Sequence, residues 1–265
     1  MKKIIYIIIS ITCFCSCSND NIDDIVDKNK LLAVDIRLFQ QSEVWNIAKA
    51  IYNNDKHEVI QLLRKGNINI NYQEPIYGRT LLMFAVTSHK YDFVEILLQN
   101  GANVNLRDYS DGATAIIDAV DFDSNFGNQT KILKLLVNYG ANINDVEGLI
   151  IRDTKHERFT PLSKACRMGK EEIVKFLLSK GANVNYISET NTFALGEAAV
   201  QGRYGLVLLL LSHDADPTPV ILERPNGQKI RLTDLLDEYE REGFLLPWHK
   251  TQLHKIREII ARYKH

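Results

Sequence analysis

Apolar residues follow two alternating patterns along this chain. Broad stripes at i, i+1, i+3 and i+4 occur at Phe93, Val94, Ile96, Leu97 and Leu98. They return at Ile132, Leu133, Leu135 and Leu136, and again at Ile173, Val174, Phe176, Leu177 and Leu178. Such spacing buries one wide face of a helix. Upstream of the stripes lie shorter runs that mix apolar with small residues: "RTLLMFAV" (79 to 86), "ATAIIDAV" (113 to 120), "FTPLSKAC" (159 to 166) and "TFALGEAA" (192 to 199). These predict a second, shorter helix in each unit, so the chain reads as a series of helix pairs.

A fixed phrase punctuates the pairs. "LLQNGANVNLRD" (97 to 108) returns as "LLVNYGANINDV" (135 to 146) and "LLSKGANVNYIS" (177 to 188). The anchors are Gly101, Gly140 and Gly181, with degenerate copies at Asn67 and Asp214, separated by 34, 39, 41 and 33 residues. Glycine after a last helical turn accepts the left-handed conformation and ends the helix. Asn suits the turn that follows, because its side chain can bond nearby backbone. Thr160 and Pro161 predict an N-cap and a first helical residue. One unit cannot bury its apolar face alone, so each must stack on the next.

The ends differ from the middle. "VWNIAKAIYNNDKHEVIQLLRKG" (44 to 66) predicts a degenerate first pair. Near the C-terminus Asn226-Gly227 signals a turn, "LTDLLDEY" predicts a further inner helix with Thr233 as N-cap, and residues 248 to 264 predict a long amphipathic helix. Two insertions, 121 to 129 and 145 to 159, interrupt the rhythm. Leu149, Ile150 and Ile151 make the second a candidate contact surface or elongated hairpin.

"TPLSKACRMGKEEIVKFLLSKGANVN" (160 to 185) is the cleanest copy, and it resembles the ankyrin-repeat consensus; the resemblance spans residues from about 44 to 219. It implies an all-α solenoid of stacked helix-turn-helix units with β-turn fingers. Residues 31–72 would be a degenerate N-terminal repeat, 73–219 four repeats and 220–265 C-terminal capping helices. The family's His after Thr-Pro-Leu is replaced by Met83, Ile117, Ser163 and Gly196, which removes the side chain that caps the inner helices there. The resemblance also implies a concave binding face made by fingers and inner helices. On it, the variable slots correspond to Tyr77, Arg79, Asp111 and Phe159 in the fingers. Phe84, Asp118, Phe122, Lys164, Arg167, Met168 and Glu197 fill those of the inner helices.

"MKKIIYIIISITCFCSC" (1 to 17) reads separately. Lys2 and Lys3 precede an apolar run too short to span a bilayer, as in a secretory signal. Phe14-Cys15-Ser16-Cys17 resembles a bacterial lipobox, which implies cleavage before Cys17 and lipidation of it. On this reading residues 1–16 are a lipoprotein signal peptide and 17–30 are the lipidated cysteine and a flexible, acidic tether. Of the remaining cysteines only Cys166 would stay with Cys17, leaving no intramolecular disulfide.

The 265-residue chain is 45% hydrophobic with a formal net charge of -1, which supplies no electrostatic footprint for nucleic acid. His249 and His254 are five apart, off the i, i+4 spacing of a helical metal pair, and no Cys-x-x-Cys, P-loop or nucleophile elbow occurs. Cys166 fits a buried thiol better than a nucleophile. The expectation is therefore a monomeric, non-enzymatic protein without cofactor or metal. It would be anchored to the periplasmic face or cell surface and bind another protein, sequestering or assisting an exported enzyme or toxin. A surface protein of structural or adhesive role is the alternative.

Overall fold

The computed structural model describes residues 21–121, 129–148, 157–241 and 247–263. Twelve α-helices lie in these segments, and the first ten pack as five consecutive pairs. The inner row is α1 (Trp45–Tyr52), α3 (Leu81–Thr87), α5 (Ala115–Asp121), α7 (Pro161–Met168), α9 (Ala194–Val200) and α11 (Leu232–Arg241). The outer row is α2 (Lys56–Arg64), α4 (Tyr91–Gln99), α6 (Gln129–Asn138), α8 (Glu171–Ser179), α10 (Tyr204–Leu211) and α12 (Pro247–Tyr263). Helix α3 packs on α5, α5 on α7, α7 on α9 and α9 on α11, while α2, α4, α6 and α8 stack in sequence and α12 lies on α10. One continuous apolar core runs through the stack. The expected all-α solenoid is thus the fold observed.

Local chemistry explains the pairs. In α7 the Thr160 hydroxyl accepts from the Ser163 amide at 3.1 Å and the Ser163 hydroxyl accepts from the Thr160 amide at 2.9 Å. Serine thus restores at this helix a capping bond that the missing histidine would supply. Helix α8 opens with Glu171 and Glu172, whose charge suits a helix N-terminus, and it buries Ile173, Val174 and Leu177. Cys166 is fully buried and its thiol is pushed up by desolvation, which suits packing rather than reactivity.

The repeated phrase has two structural jobs. Gly101, Gly140 and Gly181 end their helices at φ of 88°, 86° and 83°, and the degenerate anchors Asn67 and Asp214 hold the same conformation at 63° and 62°. The first Asn of each phrase closes its own turn: Asn103, Asn142 and Asn183 accept from the amide two residues on, at 3.0 to 3.1 Å. The second Asn reaches the neighbouring repeat. Asn71 accepts from the Asn103 amide at 2.6 Å, Asn105 from Asn142 at 3.0 Å, Asn144 from Asn183 at 2.7 Å and Asn185 from Asp216 at 2.7 Å. An asparagine ladder therefore stitches the turns along the whole array.

Two expectations change. Residues 21–30 are not a free tether. Ile22 packs against the core, Gln40 donates to the Ile22 and Asp24 carbonyls at 2.9 Å, and the Lys28 ammonium donates to the Leu38 carbonyl at 2.9 Å. This segment folds back as the N-terminal cap, because the first repeat would otherwise expose its apolar side. Thr233 is not an N-cap either: α11 begins at Leu232, and Asp234 accepts from the Arg231 amide at 2.9 Å instead. Between α10 and α11 the finger is extended into a ribbon, with β1 (Leu222–Glu223) paired antiparallel to β2 (Lys229–Ile230) around Gly227.

Candidate interaction surface

Each finger is built around a polar residue three positions after the second Asn: Glu74, Asp108, Glu147 and Ser188. Glu74 accepts from the amides of Ile76, Tyr77 and Arg79 at 2.8, 2.7 and 3.0 Å. Asp108 accepts from Ser110, Asp111 and Gly112 at 3.1, 3.3 and 3.0 Å. All four residues are buried, and bonding to backbone N–H groups is what makes that burial tolerable. The finger closes where the amide of Asp108 meets the carbonyl of Ala113 (2.9 Å), and that of Ser188 meets Thr192 (3.0 Å). In the third finger Glu147 pairs with Phe159 at 3.0 Å, so the insertion lies between two bonded ends. Residues 149–156 of it lie outside the described residues, as do 122–128 of the other insertion.

Successive fingers touch. A Cβ placed on Gly112, at φ 70°, would lie 2.7 Å from the backbone of Gly148 in the next finger, so only glycine allows that approach. The Tyr109 amide donates to the Tyr77 carbonyl at 2.6 Å.

Charged side chains link the fingers to the inner helices. Arg79 contacts Asp108 at 3.1 Å and Asp118 at 2.8 Å, and all three are buried. Lys164 contacts Asp121 at 2.6 Å and Glu147 more closely. Arg167 contacts Glu157 and lies 4.0 Å from Glu197. Burial raises the carboxyl of Asp118 to about 6, against the opposing pull of Arg79. It raises Glu197 to about 7, with Arg167 opposing and Glu157 adding to it. Burial alone would lower Lys164, but Asp121 and Glu147 outweigh it and hold the ammonium above the usual lysine range.

The structure sorts the expected binding residues into two groups. Arg79, Phe84, Asp118 and Phe159 are buried and are not free contact groups. Arg79 and Asp118 are consumed by their mutual ion pair. Phe84 is covered by the chain's own N-terminal segment, with the Phe39 ring edge-on at 6.2 Å. Phe159 lies beneath the Lys164 and Arg167 cations, 5.7 and 5.0 Å from its ring centre, and so serves as their platform. Tyr77 is half-buried, its hydroxyl donating to the Leu31 carbonyl at 2.9 Å. Lys164 is largely enclosed by its two carboxylates. Asp111, Arg167, Met168 and Glu197 keep access to solvent. Phe122 and Cys17 lie outside the described residues. The partners Asp108, Asp121 and Glu147 were absent from the expected set, although the polar residue three positions after each Asn-x-Asn was a readable signal for two of them; Glu157 falls in a variable finger slot of the expected face.

The family model described as ankyrin repeats (3 copies) matches this chain twice, over residues 47–147 and 126–220. The chain belongs to the ankyrin-repeat family. It is 35% identical over 162 residues to an ankyrin repeat protein of fowlpox virus, covering 59% of this chain and 44% of that protein. It is 27% identical over 179 residues to human ankyrin repeat and SOCS box protein 6, covering 59% and 40%. An ankyrin repeat protein of Acanthamoeba polyphaga mimivirus is 24% identical over 172 residues, covering 65% and 21%. The chain thus spans less than half the length of these relatives. Ankyrin repeats are protein-interaction modules. Among the described residues, no group of His, Cys, Asp and Glu is arranged to hold a metal ion, and no helix is long and apolar enough to cross a membrane.

Proposed function

We propose that this protein is a lipid-anchored interaction module of the bacterial cell envelope. It would bind another protein through the inner face of its second to fourth full repeats, sequestering or assisting an exported enzyme or toxin without catalysis of its own. The observation that carries the binding reading is the row Asp111, Arg167, Met168 and Glu197. These side chains keep solvent access on successive fingers and inner helices, while the neighbouring N-terminal slots are filled by the chain itself. Support for the anchor is the sequence of residues 1–17, with its basic start, apolar run and Cys17. Export leaves a cysteine-poor domain without a covalent staple, so the stack must be held by packing and by the asparagine ladder.

Two measurements test this. Cys17→Ala is expected to abolish metabolic palmitate labelling, and unchanged labelling removes the anchor. Capture from native membranes is expected to recover one protein with the wild type and to lose it with Asp111→Lys combined with Glu197→Gln. The outer-helix changes Glu95→Ala and Lys175→Ala are expected to leave capture intact. The opposite pattern assigns binding to the other face.

A further inference from the structure

The N-terminal cap has an inner and an outer side. On the inner side Ile22 packs against the core, Ile36, Leu38 and Phe39 are buried, and the Leu31 carbonyl accepts from the Tyr77 hydroxyl at 2.9 Å. The outer side carries Ile25, Leu32 and Val34, which are 84%, 69% and 37% exposed. Ile25 and Leu32 are the most exposed large apolar side chains among the described residues. A single exposed apolar group is ordinary. Three of them on a terminal cap are not, because the outer face of a cap is where a repeat array needs polar groups for solubility. The carboxylates of the segment do not oppose an apolar contact. Of the four between residues 21 and 37, Asp23 pairs with Lys49 at 3.0 Å, Asp27 with Lys30 at 3.7 Å and Asp35 with Arg37 at 2.8 Å.

We infer that the outer side of this cap lies against a lipid surface, with Ile25 and Leu32 set into the headgroup boundary. This rests on the anchor at Cys17 proposed above and says how the array sits on it. A free segment from Cys17 to Leu31 would span fourteen residues, about 46–50 Å when extended, and would let the array float clear of a bilayer. Docking removes that length. The chain is already pinned at Ile22, whose carbonyl accepts from the Gln40 side chain at 2.9 Å. Five residues, at most about 18 Å, therefore separate the lipid-bearing position from the folded cap. The headgroup layer on each side of a bilayer is itself about 5–8 Å deep, so the cap stays at the bilayer surface whichever way the array leans. The anchor thus decides the occupant: the apolar phase held nearest to Ile25 and Leu32 is the membrane. Acyl chains supply one attachment, and apolar side chains buried at the interface add a second that fixes orientation.

The test uses the full lipidated chain in phosphatidylcholine vesicles whose lipids carry a nitroxide at the headgroup. Intact-mass spectrometry first reads the lipid on Cys17. A bimane label is then placed in turn at Ile25→Cys, at Leu32→Cys and, on the outer helix α8, at the exposed position Glu172→Cys; Cys166 is buried and takes none. The first two labels are expected to be quenched at least threefold more than the third. A label at Val34→Cys is expected to share that quenching and to lose it when Ile25→Asp and Leu32→Asp are added. The melting temperature is expected to stay unchanged, because both side chains are exposed. With lipid present, equal quenching at all three first positions overturns the inference and leaves the anchor standing. So does quenching that requires phosphatidylglycerol in the vesicles, which assigns the contact to charge. Absence of lipid from Cys17 removes the anchor and this inference together.

Discussion

Asn105 in one repeat turn grips the next turn at both ends of its amide: its Nδ2 donates to the Gly140 carbonyl and its Oδ1 accepts from the Asn142 amide, each at 3.0 Å. No apolar contact could do this, because the groups it satisfies are a carbonyl and an amide of the turn that follows α6. Asn105→Ala is expected to cost about 1–2 kcal/mol, two net hydrogen bonds at an exposed site. Chemical denaturation reads the loss. Faster hydrogen exchange at the Asn142 amide, with exchange inside α7 unchanged, locates it.

The Arg79 set is expected to be the most sensitive polar site in the core. Arg79→Met leaves Asp108 and Asp118 buried without their cation, a change that typically costs about 3–5 kcal/mol. Arg79 Nε has no hydrogen-bond partner even in the intact protein, so this set is already imperfectly satisfied. Adding Asp118→Asn to Arg79→Met removes one buried charge and is expected to recover part of the loss. A double-mutant cycle in urea measures it, and strict additivity contradicts the pairing.

The anchors of the degenerate units hold a left-handed backbone without glycine. Asp214→Gly, at φ 62°, is expected to raise stability by roughly 0.5–1 kcal/mol, since relief of strain exceeds the added chain entropy. Gly140→Val, at φ 86°, is expected to lower it by about 1–3 kcal/mol for the opposite reason. Their melting temperatures should move in opposite directions.

Glu197 couples the inner face to pH. Its folded carboxyl sits at about 7, above its ordinary 4.5. The folded state therefore holds the proton more tightly than the unfolded chain, and the protonated form favours folding. Stability from this group is full below pH 4.5 and falls as pH rises through about 7. Glu197→Gln is expected to flatten that part of the melting-temperature profile between pH 5 and 8 and to leave the midpoint at pH 8 a few degrees higher. A wild-type profile that rises through this range with no contribution removed by the substitution contradicts it.

Much of the architecture was legible from residue order alone. The i, i+1, i+3, i+4 stripes placed the outer helices, Thr160-Pro161 placed the start of α7, and the Gly-Ala-Asn phrase placed the turns, including those at Asn67 and Asp214. These are local choices of backbone conformation and helix face, and a repeat imposes them several times over, so a single reading is checked by its copies. Residue order gave the local turn bond of the asparagine, and the structure added the second asparagine's bond to the next repeat.

What residue order left open was which polar and aromatic side chains stay free. Arg79, Phe84, Asp118 and Phe159 occupy slots that the repeat register turns toward the inner face, yet the first three are withdrawn from it by residues distant in sequence: Phe39 covers Phe84, and Arg79 closes on Asp118 thirty-nine positions away. Residues 21–30 look like a solvated tether by composition, and they dock because the first repeat has an apolar side that nothing else covers. Local patterning determines which face a side chain points from. Only the tertiary structure decides what else arrives there, because burial and charge neutralisation are properties of the assembled neighbourhood, not of any one segment.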